Sequence, residues 1–130
     1  MYRWVDHTSE LKLEISAPSK EAVFEEALLA FGKLVGGDFG GEPTEHGVTV
    51  TAADAPALLA EWLSELVFLV ETEDFVPERV SAFEFGDGNL RAVVAGRCGE
   101  PSHLVKSVTY HGLELRRSDG GWLARVVLDV

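Results

Sequence analysis

Oxygen chemistry is concentrated at the two ends of this sequence. Glu10 closes the run Asp6-His7-Thr8-Ser9-Glu10, and Asp129 stands near the end of Val126-Val127-Leu128-Asp129-Val130. The closing run is apolar up to its acid, the pattern of a buried strand. An acid in that position needs a partner: a helix N-terminus, a cation or a lysine, with Lys106 as one candidate. The Asp129 side chain also lies beside the main-chain carboxylate of Val130. If strands from both ends neighbour each other in one sheet, Glu10, Asp129 and Val130 form an oxygen-rich cluster, which hard divalent cations favour. Taken singly, Glu10 reads as a solvated surface group.

Other candidates carry weaker signals. His7 lies between Asp6 and Thr8 and could simply donate to a loop carbonyl. His111 falls inside a strand pattern, where a histidine is more often packed or hydrogen-bonded than ligating. Without a His-x-His, a His-x₃-His or a cysteine pair, zinc is disfavoured. Lys106 reads as an edge-strand lysine that blocks unwanted pairing, or as a point charge for a phosphate or carboxylate. No Gly-x-Ser-x-Gly elbow, phosphate-binding loop or dinucleotide fingerprint is present. A metal-dependent hydrolase would have only His7 or His111 as a base.

The elements that must position these residues follow from periodicity. Residues 11–15 alternate Leu11, Leu13 and Ile15 with Lys12 and Glu14, the period of a half-buried strand. Ser19 is the expected N-cap of a first helix, with Glu21 in its first turn. Val23, Phe24, Ala27, Leu28, Phe31, Leu34 and Val35 make one apolar face, and Gly36-Gly37 stops the helix. Gly40-Gly41 read as connectors and 47–51 as a strand. Asp54 caps a second helix, with Pro56 in its first turn. Its apolar stripe runs from Leu58 to Val70. Glu71-Thr72-Glu73-Asp74 oppose the dipole, so an earlier end is expected. Two hairpins follow: 80–85 with 90–95 around Gly86-Asp87-Gly88-Asn89, and 105–117 with 122–130 around Ser118-Asp119-Gly120-Gly121. Hairpins segregated after helices predict an α+β fold, two helices packed on a mainly antiparallel sheet.

Composition narrows the function. A chain of 130 residues, 46% hydrophobic and 25% charged, supports one globular domain with a real core. No apolar run reaches the roughly 20 residues of a membrane span, and Met1-Tyr2-Arg3-Trp4 does not open a signal peptide. The single cysteine, Cys98, excludes an internal disulfide and suits a reducing, cytoplasmic setting. A formal charge of −11 argues against direct nucleic-acid binding and for a partner protein with a basic surface.

In order along the chain, these residues resemble the archease family. Its pattern opens with an aromatic and Asp-His-Thr-Ala-Asp, here Trp4 and Asp6-His7-Thr8-Ser9-Glu10, followed by a strand at 11–15 and a helix at 21–34. A Leu-Leu-x-x-Trp-Leu segment is matched by Leu58-Leu59-Ala60-Glu61-Trp62-Leu63. Gly99-Glu100 precede Val105-Lys106-Ser107-Val108-Thr109-Tyr110-His111, and the end is Gly121-Trp122 followed by 126–130. The match spans nearly the whole chain as a single domain, 1–130.

The resemblance implies the archease α+β fold, built on strand-helix-strand-strand units. It implies a protein cofactor, not an enzyme: an activator of the GTP-dependent, manganese-using RNA ligase of tRNA splicing and RNA repair. Such an activator promotes guanylylation of the ligase histidine and multiple turnover. By position it implies a divalent-metal site (calcium, manganese or magnesium) at Glu10, Asp129 and Val130, and a functional lysine at Lys106. His7 and His111 are further candidates for partner contact. Glu10 replaces the family's Asp, which moves the carboxylate by about 1.5 Å. The alternative is a small-ligand-binding or chaperone-like module with no ligase partner.

Overall fold

Alternating side chains set the hairpin that opens the fold. The computed structural model describes residues 1–7, 9–36 and 41–130, with Asp6 and His7 as backbone only. The expected connectors Gly37 and Gly40 lie outside these residues. β1 (Tyr2–His7) pairs antiparallel with β2 (Glu10–Ala17). In β2, Leu13, Ile15 and Ala17 enter the core, so Glu10, Lys12, Glu14 and Ser16 take the opposite face. Sequence periodicity begins a strand only at Leu11. β1 is additional, held by Tyr2 and Trp4, which pack against the core, and by Arg3, which pairs with Glu14 across the ladder.

Both helices begin where their caps predict. The Ser19 Oγ accepts from the Ala22 N–H at 3.1 Å ahead of α1 (Lys20–Val35), and the Asp54 Oδ1 accepts from the Ala57 N–H at 2.8 Å ahead of α2 (Ala55–Glu73). Gly36, at φ 55°, ends α1, and its N–H donates to the Gly32 carbonyl. The acids at the end of α2 do not shorten it. The helix runs to Glu73 and stops at Asp74 in the left-handed region, because burial of Leu66, Val67, Leu69 and Val70 outweighs an unfavourable dipole interaction of a few tenths of a kcal/mol. The helices are joined by the fully buried Trp62, whose Nε1–H donates to the Phe24 carbonyl at 2.9 Å.

All strand pairs are antiparallel, but the strands divide into two sheets. β3 (Pro43–Thr51), β5 (Asn89–Cys98) and β4 (Phe75–Gly86) form one, in the order β3-β5-β4. β6 (Ser107–Ser118) and β7 (Gly121–Asp129) join the opening hairpin in the order β1-β2-β7-β6. The apolar faces of both sheets and of both helices merge in one core, which includes Leu13, Phe24, Phe31, Trp62, Leu66, Phe75, Leu90 and Leu128. The two expected hairpins are present with moved boundaries. β4 starts at Phe75, with Pro77 tolerated at a register shift between Pro77 and Arg79. β6 starts at Ser107, so Lys106 precedes the strand rather than sitting inside it. Among the described residues no helix is long and apolar enough to cross a membrane.

Candidate metal-binding edge

Register, rather than any loop, assembles the acidic residues. Glu10 of β2 stands directly opposite Asp129 of β7. His7 of β1 pairs with Glu10 on the outer side, and Ser107 of β6 pairs with Asp129 on the other. The row Glu10–Asp129–Ser107 therefore crosses three strands of the sheet on one face, with the His7 backbone in register beside Glu10. Directly opposed residues bring their Cβ atoms to about 4.5–5.5 Å, close enough for two carboxylate side chains to share one ion.

Main-chain hydrogen bonds fasten this row. The Val130 N–H donates to the Ser9 carbonyl at 3.2 Å, and the Lys106 N–H donates to the Asp129 carbonyl at 2.8 Å. The last two residues are thus held between the start of β2 and the segment entering β6. Lys106 reaches Asp129 through its backbone. Its exposed side chain forms no ion pair with Asp129 among the described residues, so the expected Lys106–Asp129 pairing is a main-chain contact instead.

A second row of charge on the same face shows what compensation looks like. Arg3, Glu14, Arg125 and Glu114 face one another in successive strands. Arg3 donates to Glu14 at 2.7 Å, and Arg125 donates to Glu14 at 3.1 Å and to Glu114 at 3.0 Å. Hydrogen bonds from Arg125 first, and then from Arg3, hold the Glu14 carboxyl below its ordinary value. Arg116 does the same for Glu114, and both acids raise Arg125. In the acidic row neither Glu10 nor Asp129 has such a partner among the described residues. Lys12 lies in the intervening row, opposite Val127, and joins neither acid in an ion pair.

The donor chemistry fits a hard cation. Two half-buried carboxylates offer oxygen ligands only, which suits calcium, magnesium or manganese and not zinc. Among the described residues no three His, Cys, Asp or Glu side chains converge as a ready-made metal site. A cation held there would have Glu10 and Asp129 as its side-chain ligands and would need further ligands from main chain, water or a partner. The His7 side chain lies outside the described residues. His111 is exposed and four positions along β6 from Ser107, in a bulge between Thr109 and Glu114, so it does not join the acidic row. Periodicity had not marked Ser107 and Thr109. They flank Asp129 and Val127 on this face, and the Thr109 Oγ1 is buried without a hydrogen-bond partner among the described residues. Their alternation with Val108 was the available signal.

Sequence and fold comparisons agree on one family. The model of the Archease protein family matches residues 2–130. Protein archease from Methanosarcina mazei is 34% identical over 139 residues, covering 99% of this chain and 95% of its own. Protein archease from Archaeoglobus fulgidus is 33% identical over 136 residues, covering 99% and 98%. The solution structure of protein 1598 from Methanobacterium thermoautotrophicum superposes with a TM-score of 0.74 at 30% identity, covering 99% of this chain and 98% of that one. A crystal structure from Thermotoga maritima, described as an archease and possible chaperone, has a TM-score of 0.70 at 20% identity, covering 100% and 98%, and shares the fold. The chain belongs to the archease family.

Proposed function

We propose that this protein is an activator of a GTP-dependent RNA ligase in tRNA splicing or RNA repair, acting through a divalent cation held at Glu10, Asp129 and Val130. The reading is supported by family membership and above all by the Glu10–Asp129 register. Two like charges placed face to face across a ladder destabilise the sheet unless a cation lies between them. A bound divalent ion would supply charge neutralisation at the phosphates of a nucleotide.

The chain's own residues do the rest. β2 and β7 fix the two carboxylates on a rigid sheet edge instead of a loop. The Lys106 N–H and the Ser9 carbonyl hold the Asp129–Val130 backbone in place. The exposed Lys106 side chain, without an ion pair among the described residues, is placed to meet a phosphate as a point charge on this reading. The net charge of −11 favours docking at the basic cleft of an RNA-binding partner and disfavours direct binding of RNA. On this reading the protein contributes no nucleophile, and the bond chemistry belongs to the ligase.

The test is guanylylation of the ligase and its turnover, with and without this protein. Wild type should raise both, and Asp129→Ala should abolish the gain. Equal stimulation by the two proteins would remove the mechanism.

A further inference from the structure

One helix face departs from the pattern of the surface around it. The outward stripe of α2 carries Glu61, Ser64, Glu65, Glu71 and Thr72, and in its midst Phe68, which is 53% exposed. Phe68 and Val67, with Glu71, form one wall of a shallow groove, and Lys106, Ser107 and Val108 form the other. Further large apolar groups continue the patch along the chain on the β6 side. Leu104, 59% exposed, lies two residues before Lys106, and Tyr110, 54% exposed, is tied to α2 by its hydroxyl, which donates to Glu61 at 2.6 Å. The groove reaches the sheet edge at Ser107, the residue opposite Asp129, whose acidic row lies on the sheet face turned away from α2.

We infer that the α2–β6 seam is the surface on which the basic partner docks, with Phe68 as its apolar anchor. This inference rests on the ligase reading and assigns the contact face within it. Charge selects the occupant. A second copy of the chain would set Glu61, Glu65 and Glu71 against the same acids, and a net charge of −11 against itself. A partner face with an apolar socket ringed by Lys or Arg meets both features at once: the aromatic fills the socket, and the acids pair with its rim. Docking there brings the partner against Lys106 and to the edge strand β6, around which lies the Glu10–Asp129 row, without using either as the anchor.

The experiment measures binding of the cognate RNA ligase to wild type, Phe68→Ala, Phe68→Glu and the double variant Glu65→Lys/Glu71→Lys, with manganese affinity measured on each protein alone. Phe68 is solvent-exposed, so its replacement leaves the fold intact. Loss of a central aromatic anchor should weaken ligase binding ~10-fold or more, with Phe68→Glu weaker still and the charge reversal losing the salt dependence seen with wild type. Manganese affinity should stay within about twofold. Ligase activation by wild type together with unchanged binding of the Phe68 variants would overturn the docking surface and leave the ligase reading standing. Absence of any ligase binding by wild type would overturn both. A wild-type dimer that Phe68→Glu dissociates would overturn it as well, since the groove would then be filled by a second copy.

Discussion

Glu10 and Asp129 come from opposite ends of the sequence and stand directly opposite each other across the β2–β7 ladder, neither paired with a cationic side chain among the described residues. Opposed like charges weaken a sheet by up to about 1 kcal/mol. In chelator, Asp129→Asn should therefore be slightly more stable than wild type, by several tenths of a kcal/mol. In saturating manganese the order should invert, because only wild type gains the linkage term of a bound ion. Thermal unfolding in the two buffers checks both signs.

The compensated row makes the opposite prediction for acid. Hydrogen bonds from Arg125 and Arg3 keep the Glu14 carboxyl below its ordinary value of 4.5. The folded state is thus favoured above that ordinary value, and the gain is lost as pH falls through the lowered one. Glu14→Gln should flatten the acid limb of the stability profile. At neutral pH it should cost under ~1 kcal/mol, the scale of partly exposed pairs. Urea midpoints measured from pH 3 to 7 would show it.

Gly32 lies inside α1, where alanine ordinarily gains about 1 kcal/mol. Here a Cβ would come to 2.3 Å from the Pro77 carbonyl oxygen, which is main chain of β4 and cannot swing away. Gly32→Ala should destabilise the protein by roughly 1–3 kcal/mol despite its better helix propensity. Chemical denaturation decides the sign.

Trp62 fills the centre of the core and ties α2 to α1 through its bond to the Phe24 carbonyl. Trp62→Ala should cost about 3–5 kcal/mol and Trp62→Phe less, since the ring volume is largely kept while the hydrogen bond is lost. The Phe24–Phe85 and Trp62–Phe83 contacts link the helices to β4, so near-ultraviolet circular dichroism should report the loss of the indole and the loosening of the three phenylalanine rings.

Local chemistry made much of this legible in the sequence. Ser19 and Asp54 announced the helix starts, Gly36 one helix end, and Asp87-Gly88 and Asp119-Gly120 the hairpin turns. The alternation of Leu11, Leu13 and Ile15 fixed which face of β2 carries Glu10. The non-local decisions were not legible. No pattern within a strand says which strand it will pair with, so the split into two sheets was missed. Pro77 hid the start of β4, because proline inside an apolar run argues against a strand until a bulge accommodates it. The tail of α2 was underestimated because dipole and burial act in opposition there, and burial is the larger. At the site, Glu10, Asp129 and Val130 were nameable from the two chain ends, and their adjacency is a property of the register. Ser107 and the main-chain role of Lys106 depend on where β6 begins, which periodicity placed two residues early.

The central claim is that the two opposed acids hold one divalent ion, and titration calorimetry of manganese and of calcium into wild type, Glu10→Ala and Asp129→Ala tests it most directly. The account predicts one ion per wild-type chain and at least a ~10-fold loss of affinity in each variant, as two of its few protein ligands are removed in turn. Equal binding by all three proteins, or no binding by wild type, would contradict it.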